Sequence, residues 1–268
     1  MKTFSKKAAL VTSIVLPFAF GAVSANAAQI TEWTYTVDNG FSNATFSSGD
    51  GEVMTGEQEL SWGSADGGAR SSISINDVTS PPNLITNGPS VDGGTFEHDN
   101  QIIAASNSAL ETFDLNSTLM LTSLLPEPGI DQQVGPITFN SFFTETRNSA
   151  PCEAGSAVPC DDVFTLGDPE FGSVNEDGNF EVQSSFTIDD FNYTVFLEIV
   201  GLGELSDAAC GVAGTGSGCI GFLTVEDTNN SFQSNFRIES SAVSVPEPGS
   251  LALLGLGLVG LGVASRRK

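Results

Sequence analysis

The residues best equipped for chemistry in this chain are carboxylates, and they have few basic partners. Between Ala28 and Val245 there are 32 Asp and Glu against three cations, Arg70, Arg147 and Arg237, a net charge of −29, and no lysine at all. The only histidine is His98. A serine-type triad needs such a base beside a nucleophile elbow, yet no G-x-S-x-G occurs, and Thr215-Gly216-Ser217-Gly218-Cys219 has the wrong spacing. A phosphate-cradling G-x-x-x-x-G-K is excluded because the segment has no lysine. Glycoside hydrolysis needs two carboxyls roughly 5–10 Å apart, and 32 acids single out no pair. His98 and Asn100 therefore read as an imidazole and an amide that hydrogen-bond a neighbouring turn, and no catalytic residue is assigned.

No cofactor is expected, and calcium is the ion that these carboxylates would suit best. Asn175, Asp177, Asn179 and Glu181 offer oxygen ligands at alternate positions, although Gly178 falls where an EF-hand would not put it. Asp161, Asp162 and Asp168 are further candidates; every one of these clusters also fits a solvated turn. Four cysteines allow three pairings. The local pairing joins Cys152 to Cys160 and Cys210 to Cys219, each bridge restricting the unfolded chain by roughly 2–3 kcal/mol. Four thiols could instead ligate zinc, but the spacings are not those of zinc ribbons.

The elements that must position these groups are strands. Trp33, Tyr35 and Val37 alternate with polar neighbours, as do Leu60 and Trp62, and Ile73 and Ile75. Phe180, Val182, Ser184, Phe186 and Ile188 form one period-two run, and Phe191, Tyr193, Val195, Leu197 and Ile199 a second. Asp189-Asp190 joins them, which predicts a β-hairpin. Further strands are expected near 42–47, 95–98, 115–122, 137–144, 162–166, 221–225 and 232–239. A dozen short strands separated by Gly, Pro, Asn and Asp predict an all-β, antiparallel two-sheet sandwich, jelly-roll-like, with almost no helix. Residues 28–244 form one acidic ectodomain on this reading.

Both ends carry transport signals. Lys2, Lys6 and Lys7, an apolar run over 10–23 and Ala25-Asn26-Ala27 predict a signal peptide over 1–27, cut between Ala27 and Ala28. Residues 245–268 contain Pro246-Glu247-Pro248, an apolar stretch, and Arg266, Arg267 and Lys268 as a basic stop. The 16 residues from Gly249 to Ala264 would span about 24 Å as a helix, against a hydrocarbon core of roughly 30 Å. That makes a short transmembrane helix, marginal for a permanent anchor. The cations would hold the end in the cytoplasm and leave the acidic domain outside. The acidic surface repels phosphate backbones, which excludes nucleic acid as a partner.

Pro246-Glu247-Pro248, the apolar helix and Arg266-Arg267 together resemble a PEP-CTERM sorting signal. The resemblance implies a Gram-negative bacterium that makes extracellular polysaccharide. It also implies a transient stay in the inner membrane, where an exosortase processes the exported protein at or near the motif and hands it to the cell surface. The middle of the chain is similar to the THxN family of PEP-CTERM proteins, through Trp33, Trp62-Gly63, Thr95-Phe96-Glu97-His98-Asp99-Asn100 and Phe143-Thr144-Glu145-Thr146-Arg147-Asn148. The departure is Glu97, where that family has Thr. This second resemblance implies a secreted β-rich domain and carries over no catalytic residue.

Three functions fit these observations. The first is a non-enzymatic surface or matrix protein associated with exopolysaccharide or biofilm. The second is a carbohydrate-binding or calcium-dependent adhesion module, and the third a hydrolase of matrix polymer.

Overall fold

The computed structural model describes residues 28–64, 68–167 and 169–243. In chain order the strands begin with β1 (Glu32–Phe46), β2 (Glu52–Thr55), β3 (Glu59–Gly63), β4 (Arg70–Ile75), β5 (Val78–Thr79), β6 (Leu84–Ile85), β7 (Val91–Asn100) and β8 (Leu110–Leu125). They continue with β9 (Asp131–Thr144), β10 (Asp162–Leu166), β11 (Gly172–Val174), β12 (Phe180–Ile188), β13 (Phe191–Ile199), β14 (Gly203–Glu204), β15 (Ile220–Thr224) and β16 (Thr228–Ala242). One α-helix, α1 (Asp207–Val212), lies between β14 and β15.

Two antiparallel sheets form a sandwich. The first runs β14-β15-β10-β9-β8-β1-β5, with β6 also paired to β1; the second runs β11-β12-β13-β16-β7-β4-β3-β2. Each sheet has eight strands, as many as a whole jelly roll, so the architecture is a larger sandwich than the jelly-roll expectation. Side chains alternate between core and solvent as the period-two pattern demands. Trp33, Tyr35 and Val37 of β1 and Leu119 and Leu121 of β8 face Tyr193, Val195 and Leu197 of β13 and Phe236 and Ile238 of β16 across one continuous core. Each large apolar side chain so buried contributes about 1.5–3 kcal/mol.

The predicted hairpin is β12 and β13, with Phe180 opposite Ile199 and Ile188 opposite Phe191. Its turn takes Asp189 to φ 50°, a conformation that aspartate tolerates better than branched residues.

Among the described residues helix is nearly absent, as expected, and the six-residue α1 is its main instance. Ser206 caps it, its hydroxyl accepting from the Ala209 amide at 3.2 Å, and the Cys210–Cys219 disulfide closes the segment. The second disulfide joins Cys152 to Cys160, so the local pairing is the observed one. Ala154 from the Cys152–Cys160 loop and Ala209 of α1 pack with Val163 of β10 in a small second core. Neighbouring side chains on a strand alternate between faces. With Val163 held on that side, Asp162, Phe164 and Leu166 turn into the space between the sheets, where Phe164 and Leu166 join the main core.

The predicted signal-peptide segment with Ala27, the metal candidate Asp168, and the tail with Pro246, Glu247, Pro248, Arg266, Arg267 and Lys268 lie outside the described residues. Among the described residues no helix is long and apolar enough to cross a membrane.

Candidate functional site

At one end of the sandwich the inward faces of several strands turn from apolar to acidic. On β7, Phe96 lies in the main core, and its same-face neighbours His98 and Asn100 are 1 % and 0 % exposed. The inward row of β9, Phe139 and Phe143, leads to Glu145 just beyond the strand. Asp162 opens β10 and is fully buried, while Glu226 follows β15 and is 4 % exposed. One carboxylate oxygen from each of Glu145, Asp162 and Glu226 lies within 4.8 Å of the others.

Hydrogen bonds fix these side chains but leave many of their oxygens unpaired. The Trp62 indole donates to Glu145 Oε2 at 3.2 Å, and the Thr146 amide donates to Asp162 Oδ1 at 2.7 Å. Asn100 Nδ2 donates to the Thr224 carbonyl at 3.2 Å, which ties β7 of one sheet to β15 of the other. Glu145 Oε1, Asp162 Oδ2, both Glu226 carboxylate oxygens and the Oδ1 atoms of Asn100 and Asn148 are buried with no hydrogen-bond partner. The Asn100 side chain is close enough to Asp162, and Asn148 to Glu226, to ease those charges. Neither amide completes a hydrogen bond to the carboxylate.

Burial pushes all three carboxyls upward. Glu226 rises from 4.5 to about 7, mainly by desolvation. Glu145 and Asp162 titrate together; desolvation raises both, Glu226 pushes both further, and Glu145 adds to the rise at Asp162. Three anionic carboxylates at this spacing cannot persist in a low-dielectric interior without protons or a countercharge.

His98 stacks on Trp62 with ring centroids 5.7 Å apart and meets Phe143 edge-on at 5.1 Å. Neither of its nitrogens has a partner, so the expectation that the imidazole bonds a turn is corrected. It points inward from β7 among aromatic rings, and burial holds it neutral, with its pKa lowered to about 3. It cannot serve as the cluster's countercharge.

The acidic candidates in the β11–β12 turn have other partners. Asn175 Oδ1 accepts from the amides of Asp177 and Asn179, both at 3.0 Å, and Asn179 Oδ1 accepts from the Gly201 amide at 2.9 Å. Glu181 pairs with Arg237 at 2.7 Å. These oxygens build a turn rather than converge on a point. Asp161 sits beside the cluster and adds to the rise at Glu226, but it is not one of the converging carboxylates. Of the metal candidates in the described residues, only Asp162 joins the site.

Glu145 and Asn148 came into view in the sequence only within the stretch 143–148, and Glu226 carried no signal of its own. The stretches holding Trp62, His98–Asn100 and Glu145–Asn148, far apart in sequence, meet here. Glu97 lies on the opposite face of β7 from His98, so the residue that departs from the family pattern does not reach the cluster. A groove of about 540 Å³ adjoins the site, bordered by Ile102, Ala104, Asn107, Glu145 and Asn148 among others.

Residues 244–268 match the model of the PEP-CTERM protein-sorting motif. The chain carries an exosortase sorting signal. The motif implies that the protein is exported and processed by an exosortase on a route that passes through the membrane to the surface. No curated protein matches the chain.

Proposed function

We propose that this is a non-enzymatic component of the cell surface or extracellular matrix, delivered by its PEP-CTERM tail and associated there with exopolysaccharide in a biofilm. The sorting match over 244–268 carries this reading. Two features favour a structural role over a hydrolytic one. Asp162 and Glu226 are almost fully enclosed, where a polymer could not reach them, and the sole histidine is packed among rings. The signal peptide over 1–27 and a Gram-negative envelope belong to the same reading. So does membership of the THxN family, supported by the meeting of its resembling stretches at one buried site.

Disrupting the exosortase tests this. The protein should then accumulate in the membrane fraction and leave the surface and the polysaccharide; unchanged surface delivery would refute it. A second reading, a carbohydrate-binding or calcium-dependent adhesion module, is favoured by the groove beside the carboxylates. Calcium-dependent retention of the protein on purified exopolysaccharide would distinguish the two.

A further inference from the structure

We infer that Glu145, Asp162 and Glu226, with the side-chain oxygens of Asn100 and Asn148, form a binding site for a divalent cation of the calcium type.

The convergence of three carboxylates within 4.8 Å is the first observation. The second is independent of it: Asn100 is fully buried beside Asp162, and its Oδ1 has no partner. Across the five residues six buried oxygens lack a partner. Leaving so many acceptors unpaired in one place costs more than native structures ordinarily tolerate, and a shared ion is a recognised resolution.

The described part of the protein supplies no cation of its own. Arg147 pairs with Glu153 at 3.1 Å on the surface. Arg70 binds Glu52 and the Ser61 hydroxyl, and Arg237 is held between Glu181 and Glu239.

Donor chemistry selects the ion. Every atom offered is a carboxylate or amide oxygen; no sulfur takes part, and the nitrogens of His98 are not among the converging atoms. Hard oxygen sets suit calcium, which takes six to eight such ligands, whereas magnesium keeps several waters and zinc prefers nitrogen and sulfur. The groove that Glu145 and Asn148 border lies beside the cluster. The ligands come from the ends of β7, β9, β10 and β15, so the ion would clasp one sheet to the other. Affinity on the order of 10⁻⁴ to 10⁻³ M, as in extracellular calcium modules, is enough for an exported protein.

The test uses the full purified chain, stripped with EDTA and titrated with calcium chloride while thermal unfolding is followed. At calcium 100-fold above Kd the folded-to-unfolded ratio should rise about 100-fold. Terbium, a luminescent stand-in for calcium, should be sensitised by the Trp62 indole that touches Glu145, and calcium should displace it. Asp162→Asn and Glu226→Gln keep side-chain shape and remove charge. In EDTA both should melt no lower than the native chain, and in calcium both should melt below it, with affinity lowered at least tenfold. A calcium response that is absent from the native chain, or that persists unchanged in both variants because scattered surface carboxylates carry it, would overturn the inference. That outcome would leave the sorting role standing, since the role depends on the tail alone.

Discussion

In the absence of metal, raising the pH should destabilise this protein, and Glu226 sets the scale. Its carboxyl titrates near 4.5 in the unfolded chain and near 7 in the fold, where burial raises it. A raised pKa in the folded state means that the contribution is fully present below about pH 4.5 and is lost as pH rises through about 7. Within that window unfolding releases about one proton from Glu226, so its contribution to stability falls by roughly 1.4 kcal/mol per pH unit, beside what Glu145 and Asp162 lose. Over the whole interval the loss from Glu226 is at most about 3 kcal/mol, which for a domain of this size is about 6–12 °C in Tm. Melting curves in EDTA at pH 4.5 to 8, for the native chain and for Glu226→Gln, isolate the effect. Mutual repulsion among the surface acids changes with pH in both proteins and cancels in their difference. That difference should fall by about 3 kcal/mol between pH 4.5 and 7 and then level off. A flat or rising difference would refute the placement of Glu226 in the interior.

Other consequences can be measured separately. Replacing Cys210 and Cys219 by Ser should cost about 3 kcal/mol, the loop-closure scale for such a bridge, and denaturant unfolding should also reveal loss of the small core around Val163 and Ala209. Tyr193→Phe removes the hydroxyl that accepts the Ile30 amide at 2.7 Å, leaving a buried donor unpaired, and should cost about 1–3 kcal/mol. Leu197→Ala, in the main core, should cost about 2–5 kcal/mol in the same assay. Incubation with a panel of matrix polysaccharides should release no new reducing ends; release that disappears in Asp162→Asn would replace the structural role by a hydrolytic one.

The hairpin of β12 and β13 could be read in advance because both of its causes are local: two runs of period two, and a two-residue polar turn. The pattern predicts strand fragments at 115–122 and 232–239, but the full strands β8 and β16 are far longer; in β16 the polar residues Asn229, Asn230 and Ser231 are carried by pairing with β7 rather than by alternation. Helix α1 escaped notice since six residues show no helical period; only Ser206 and the bridge betray it. The site was the least legible part. Asp162 is among the calcium candidates that the sequence offers, whereas Glu226 is one acid among many. What unites them is the return of distant strands to one place, as in the bond from Asn100 to Thr224 across 124 positions, and no local pattern encodes that.

The claim that the tail is a removable address is tested most directly by intact-mass spectrometry of the protein recovered from the cell surface. The recovered chain should begin at Ala28 and lack the residues beyond the Pro246-Glu247-Pro248 region, including Arg266, Arg267 and Lys268. A surface-exposed protein that still carries residues 249–268 would contradict it.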